Sequence, residues 1–474
     1  MIRHLTRRGR LAAIAVAIGA AAPAEADQTR AFVACTDFSS GSLANVSFGP
    51  PPVVTPNVAT PSSDPVLRHF GALLYVVNRF NFDNIQVIDP GNGYTTVQQF
   101  SVGNGSNPTD IELVSPTKGY VARYDEADLW IVNPQTGAHT GTISLAGFAD
   151  VEDGIPEMHR LAIRGGRLFV TVQRLDRING FIPTDSSQVV VIDLATDTVV
   201  DANPSTPGVQ GILLPLQNPN TELVVDPNGW LVVGCTGRFG VLDGGVVRID
   251  PGTLAVAGTE ITEATLGGDL NDVAPFTASR AFAVISNASF ATLLKSYDRS
   301  TGSVTGTPYS TPDFSIADIE VNDRGELWVC DRSFANPGLR IFDAVTGLPV
   351  TASPLSTGLP PQDIAFDGAV VLGVVPSPPS LVSLVRSYPT PAAGPSSIVF
   401  RLAASAGEAE PVEVRVHDPM GRVIWTRNLG RLDPGEHRVT WEGRTSGGER
   451  VAPGAYILSV RRGASRGATV VIRI

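Results

Sequence analysis

Five acidic residues, Asp110, Glu222, Asp272, Asp318 and Asp363, stand at the same place in a recurring pattern. In each case an acid is followed by an apolar residue or pair, as in Pro108-Thr109-Asp110-Ile111, Asn271-Asp272-Val273-Ala274 and Gln362-Asp363-Ile364-Ala365. Carboxylates at equivalent points of a repeat converge wherever the repeat closes on itself. A ring of them has the oxygen-rich chemistry of a calcium site, or of a cradle for a cationic or sugar ligand. The copy Met158-His159-Arg160-Leu161 breaks the pattern, so His159 and Arg160 would be the asymmetric members of such a site. The competing reading gives each acid a structural role, in which it accepts hydrogen bonds from backbone groups at the first turn of its own repeat. Recurrence in most copies favours the structural role.

Other reactive chemistry finds little support. There is no G-x-S-x-G, no H-E-x-x-H and no phosphate-cradling Gly-rich loop before a helix. His4 belongs to the leader, and His417 and His437 to a C-terminal module, leaving His69, His139 and His159, too few for a multi-His centre. Cys35, Cys235 and Cys330 include no C-x-x-C pair; they allow one bridge and a free thiol, or three buried thiols. Asp150-Val151-Glu152-Asp153-Gly154 is rich in acid but lacks the spacing of a calcium loop. The expectation is therefore no catalytic residue, no metal ligand and no cofactor, with calcium as the one candidate.

The elements that would position these acids follow from the repeat. Counting Pro65-Val66-Leu67, seven starts occur, mostly at similar spacing with one longer gap before Glu222. After each comes a polar turn, such as Asp226-Pro227-Asn228-Gly229 or Asn322-Asp323-Arg324-Gly325. Then comes a β-forming run such as Leu168-Phe169-Val170-Thr171 or Leu327-Trp328-Val329. A third strand ends in Asp or Asn, as in Val189-Val190-Val191-Ile192-Asp193, and a weaker fourth leads to the next start. Four antiparallel strands per unit describe a propeller blade, and no sustained helical period competes with them. Ala31 to Thr36 and Leu43 to Ser47 look like strands that complete the blade begun at Asp363, while Val370 to Val375 offers one strand more. The fold expected is all-β: a seven-bladed β-propeller, with six or eight blades as alternatives, over residues 27–377.

Residues 1–26 read as a signal peptide: Arg3, Arg7, Arg8 and Arg10, an apolar run from Leu11 to Ala22, then Ala24-Glu25-Ala26. No later run is long enough for a transmembrane helix, so a secreted or cell-surface bacterial protein is expected. The net charge is −11, and the acidic excess lies between residues 27 and 400. Such a body repels phosphates, which argues against nucleic acid as partner.

From Pro378 to Ser396 the chain is rich in Pro, Ser and Ala, as a linker would be. Beyond it, residues 397–474 hold about seven short alternating strands, the pattern of an immunoglobulin-like β-sandwich. Trp441 and Tyr456 read as its core and corner.

Two resemblances sharpen this. Tyr75-Val76-Val77-Asn78, Val87-Ile88-Asp89-Pro90, and Val102-Gly103 leading to Asn107-Pro108-Thr109-Asp110 resemble the YVTN-type surface-layer propellers. That resemblance implies a propeller in an extracellular setting and supplies no catalytic residue. Val416-His417-Asp418-Pro419-Met420-Gly421, Leu432-Asp433-Pro434-Gly435, Thr440-Trp441-Glu442-Gly443 and Val451-Ala452-Pro453-Gly454-Ala455-Tyr456 are similar to the immunoglobulin-like domain of the flagellar hook-capping protein FlgD. Such modules overlap with C-terminal sorting domains of type IX secretion. This chain ends Val471-Ile472-Arg473-Ile474, without their lysine-rich finish. Together these imply a monomeric, non-catalytic exported protein that binds an extracellular protein or glycan, with the C-terminal module sorting or anchoring it. The alternative is a metal-dependent propeller hydrolase, such as a lactonase, working in the central channel.

Overall fold

Strands such as Arg167–Val172 are apolar on both faces, so each sheet they form must be covered on both sides. Leu168 and Val170 point one way, into a cluster with Tyr120 and Leu129, whereas Phe169 points the other way, toward Leu223 and Val233. Sheets stacked face to face around an axis meet this demand without helices. A computed structural model shows that arrangement, describing residues 28–184, 186–368, 382–388, 392–402, 411–418, 422–462 and 465–474. The signal-peptide reading and the strand expected at Val370 to Val375 lie outside the described residues.

The chain divides into two units, Met1–Val374 and Val375–Ile474. In the first, seven antiparallel sheets are found among the described residues, besides one short two-stranded ribbon. We number them by their first strands: sheet 1, Pro65–Phe70; sheet 2, Pro108–Ser115; sheet 3, Met158–Arg164; sheet 4, Pro219–Val225. Sheet 5 begins with Asp269–Pro275, sheet 6 with Ile316–Val321 and sheet 7 with Pro361–Phe366. Each first strand lies beside the next, and that of sheet 7 lies beside that of sheet 1, so the ring closes. An apolar cluster fills the gap between every neighbouring pair of sheets. This is a β-propeller, and the seven expected starts are its seven inner strands.

Sheet 7 is built from both ends of the unit. Arg30–Thr36 pairs with Pro361–Phe366 on one side and Gly41–Ser47 on the other. A further strand, Val53–Ala59, contains Pro56 and was not anticipated; proline is tolerated there because the strand is at the sheet edge. Sheet 6 shows three strands among the described residues where four were expected. Only isolated bridges, Leu339 to Leu355 and Phe342 to Pro349, occupy the edge position in a segment broken by prolines. All three cysteines are free and buried, which selects the second of the two thiol readings.

The second unit packs a three-stranded sheet against a four-stranded one. Its first strand, Val382–Tyr388, pairs with Ser396–Leu402. It lies inside the stretch read as linker, so 378–396 is not linker throughout; the Pro and Ser around it masked its alternation. Trp441 is fully buried 5.6 Å from the Tyr456 ring, and the Tyr456 hydroxyl donates to the Ala452 carbonyl at 2.8 Å. That is the core-and-corner arrangement of an immunoglobulin-like sandwich.

Candidate functional site

The residue directly before Leu67, Ile111, Leu161, Leu223, Val273, Ile319 or Ile364 holds the equivalent place on each inner strand. Around the ring these are Val66, Asp110, Arg160, Glu222, Asp272, Asp318 and Asp363. Four of the acids accept a hydrogen bond from the backbone N–H of the next sheet. Asp110 takes that of Leu161 at 2.9 Å, Asp272 that of Ile319 at 2.9 Å, Asp318 that of Ile364 at 2.9 Å, and Asp363 that of Leu67 at 2.7 Å. Asp110 and Asp272 also cap the N–H of the residue that follows them, each at 2.8 Å. The structural role is therefore broader than expected: these carboxylates latch neighbouring sheets together, rather than only holding their own first turns. A carboxyl oxygen suits this place as acceptor, since an inner strand's free N–H groups have no fifth strand to pair with.

The exceptions fill the channel. Glu222 holds no such latch; its Oε1 lies 2.9 Å from Nη2 of Arg68. Arg68 also reaches Asp110, with Nε 2.8 Å from Oδ1, and caps its neighbour's carbonyl, Leu67 O, at 2.8 Å. Arg160 donates from Nη1 to the Thr109 carbonyl of the previous sheet at 2.9 Å. His159 is buried, sits edge-on to the Tyr124 ring, and has an Nδ1 without a hydrogen-bond partner. Burial and the nearby Arg160 hold its pKa well below the usual histidine range, so it stays neutral.

Two cavities lie along the axis. A small one of about 70 Å³ at the strand starts is lined by Arg160, Glu222, Asp272, Asp318 and Asp363. A larger one of about 470 Å³ at the strand finishes is lined by Arg68, Glu112, Glu222 and Glu320. His159 lines neither. Arg68, Glu112 and Glu320 stand two residues beyond the ring of acids, on the same face of their strands, and sequence reading missed them. The period of two was the available signal.

Burial raises the carboxyls of Asp272, Asp363 and Glu112 to about 7. It lifts those of Asp318 and Glu320 well above the normal range, and neighbouring carboxylates add to the rise. Burial also works on Glu222, yet the positive charges of Arg68 and then Arg160 outweigh it and leave Glu222 below its ordinary value. Among the described residues, no three His, Cys, Asp or Glu side chains come together closely enough to hold a metal ion. Nor is any helix there long and apolar enough to cross a membrane.

A family model described as FlgD Ig-like domain matches residues 389–465, so the C-terminal unit carries that family's sequence pattern as well as an Ig-like fold. No curated protein sequence matches the chain. Among solved structures the chain is similar to PorZ of Porphyromonas gingivalis, described as an essential surface component of the type-IX secretion system. The identity is 16% and the TM-score 0.42, with 92% of this chain and 64% of PorZ covered. This chain thus spans less than two thirds of PorZ. It is also similar to the Dos1 propeller, at 12% identity and TM-score 0.41, over 61% of this chain and 69% of that one.

Proposed function

We propose that the chain is an exported, non-catalytic β-propeller protein of the YVTN surface-layer type that binds an extracellular protein or glycan. Its Ig-like unit serves as the sorting or anchoring module. One observation carries the non-catalytic part: the acids best placed for chemistry are engaged in holding the ring together. Four accept backbone N–H groups of the next sheet, and Arg68 ties up Asp110 and Glu222. A hydrolase working through a channel metal needs several carboxylates free to converge on one point. The match of residues 389–465 to the FlgD Ig-like model supports the terminal module, and the basic, apolar, A-x-A leader supports export.

The test has two arms. Purified protein is assayed for lactone hydrolysis with and without added calcium; turnover above background that Asp363→Asn abolishes would overturn the non-catalytic reading. Intact cells are treated with external protease, and the propeller should be cleaved on them or found in the medium. In a chain cut after residue 374, which lacks the whole second unit, surface retention should fall. A protein found only inside the cell would defeat the export reading.

A further inference from the structure

One face of the propeller carries a repeated feature that neither the ring closure nor the channel uses. The loops joining second to third strands all lie on this face, together with those leading from one sheet to the next. In six of the seven sheets the former loop holds a solvent-exposed phenylalanine: Phe80, Phe181, Phe239, Phe290, Phe334 and Phe38 for sheets 1, 3, 4, 5, 6 and 7. A single exposed apolar residue is ordinary. Its recurrence at one loop around one rim is not explained by packing: Phe334 is 99% exposed, and Phe38, whose ring lies 4.4 Å from the Arg332 guanidinium, is still 66% exposed. Three of the six also sit in the left-handed region, with φ of 65° at Phe38, 58° at Phe181 and 61° at Phe290, where Asn or Gly would fit without strain. A bulky ring there is unfavourable for the backbone, and burial does not repay it; Phe38 and Phe181 gain a cation over the ring, Arg332 at 4.4 Å and Arg177 at 6.0 Å, and still stand mostly exposed.

The charges on the same face say what would cover it. Asp37, Glu152, Asp243 and Asp313 are exposed in these loops, against Arg238 as the one exposed base among the described residues there. The other arginines are occupied: Arg79 pairs with Asp64, Arg177 with Asp125 and Glu157, and Arg332 donates to Gln362 and the Thr36 carbonyl. Phenylalanine contributes apolar area without a hydrogen-bonding group, as the anchors of protein–protein interfaces do. An acidic rim repels anionic lipid. We infer that this face is a docking surface for a polypeptide segment that presents apolar side chains next to Lys or Arg. The phenylalanines provide the buried anchors, and the rim carboxylates select and steer the basic residues. The inference rests on the binding reading above and narrows its ligand to a protein.

Three immobilised pools of short synthetic peptides test it: Leu/Phe with Lys/Arg, Leu/Phe with Asp/Glu, and Ser/Thr with Lys/Arg. The full chain should bind the first pool best and lose affinity as salt is raised. A Phe80→Ser/Phe290→Ser/Phe334→Ser variant should bind it about tenfold more weakly or worse, at an unchanged melting temperature. Equal binding to all pools, or binding that survives the triple substitution, would sink the inference. So would Phe-dependent binding to a glycan array or to phosphatidylglycerol vesicles, or Phe-dependent self-association in sedimentation. The glycan result would leave the broader binding reading standing, whereas hydrolysis of a lactone by the same preparation would remove that reading instead.

Discussion

Nη2 of Arg68, on sheet 1, lies 2.9 Å from Oε1 of Glu222, on sheet 4, so one ion pair spans the propeller's channel. The same guanidinium meets Asp110 on sheet 2, whose side chain is fully buried. Removing the arginine strands two carboxylates in a site that already holds too many. Arg68→Met is therefore expected to lose about 3–5 kcal/mol of stability at neutral pH, read by urea unfolding. A double change, Arg68→Met with Glu222→Gln, should recover part of that. An Arg68→Met protein as stable as its parent would show that the channel pair does not hold the ring.

The latch between sheets 6 and 7 isolates a different term. Asp318 accepts the N–H of Ile364, which is itself buried. In Asp318→Ala that N–H has no acceptor, at a cost of about 1–3 kcal/mol. Asp318→Asn keeps an oxygen in place and should unfold close to the parent, because burial and adjoining acids disfavour the charged form of Asp318. If Asn is as damaging as Ala, charge and not the hydrogen bond is what the ring requires.

These two residues also show how far sequence reaches. Asp318 was legible because its position repeats, and repetition marks the role every copy shares. Arg68 was not, because it occurs once; its meaning depends on which residues stand opposite it across a closed ring. The same limit hid the rim of phenylalanines. Phe80, Phe290 and Phe334 sit at different positions within their loops, out of register by residue count, and only the strand pairing places them on one face. The strand Val382–Tyr388 failed for a local reason, its alternation being framed by Pro and Ser.

The buried acids set a pH dependence. Asp272, Asp363 and Glu112 lose their protons near pH 4 when unfolded and at about 7 when folded. Between those values the folded state binds more protons, so their contribution is fully present below about pH 4 and is lost as pH rises through about 7. The depressed Glu222 carboxyl acts in the opposite sense, its contribution fading only as pH falls through its folded value. Neutral His159 likewise opposes, as the unfolded histidine gains a proton below its usual pKa. Comparing variant with parent separates these terms. Asp272→Asn/Asp363→Asn keeps acceptors for Ile319 and Leu67 and removes two raised carboxyls. Its melting temperature should exceed the parent's at about pH 8 and match it at about pH 5. Parallel curves at all pH values would mean that these acids ionise normally.

Phe290 tests whether the rim trades stability for contact. Its loop is organised without the ring: Asn287 Oδ1 accepts the N–H of Ser289 at 2.9 Å and of Ala291 at 3.1 Å, while the Phe290 N–H returns to the Asn287 carbonyl. What the phenylalanine adds is a 62% exposed side chain on a backbone at φ 61°. Asparagine adopts that conformation readily, since its short polar side chain can bond locally. Phe290→Asn should accordingly raise stability by about 1 kcal/mol or leave it unchanged, while weakening peptide binding. Phe38→Asn, at φ 65°, relieves the same backbone strain but forfeits the ring's 4.4 Å contact with the Arg332 guanidinium, so its stability should stay close to the parent's. A substitution that stabilises the fold and impairs binding identifies a residue held for its partner. Lost stability in both variants would instead place these rings among the propeller's own packing.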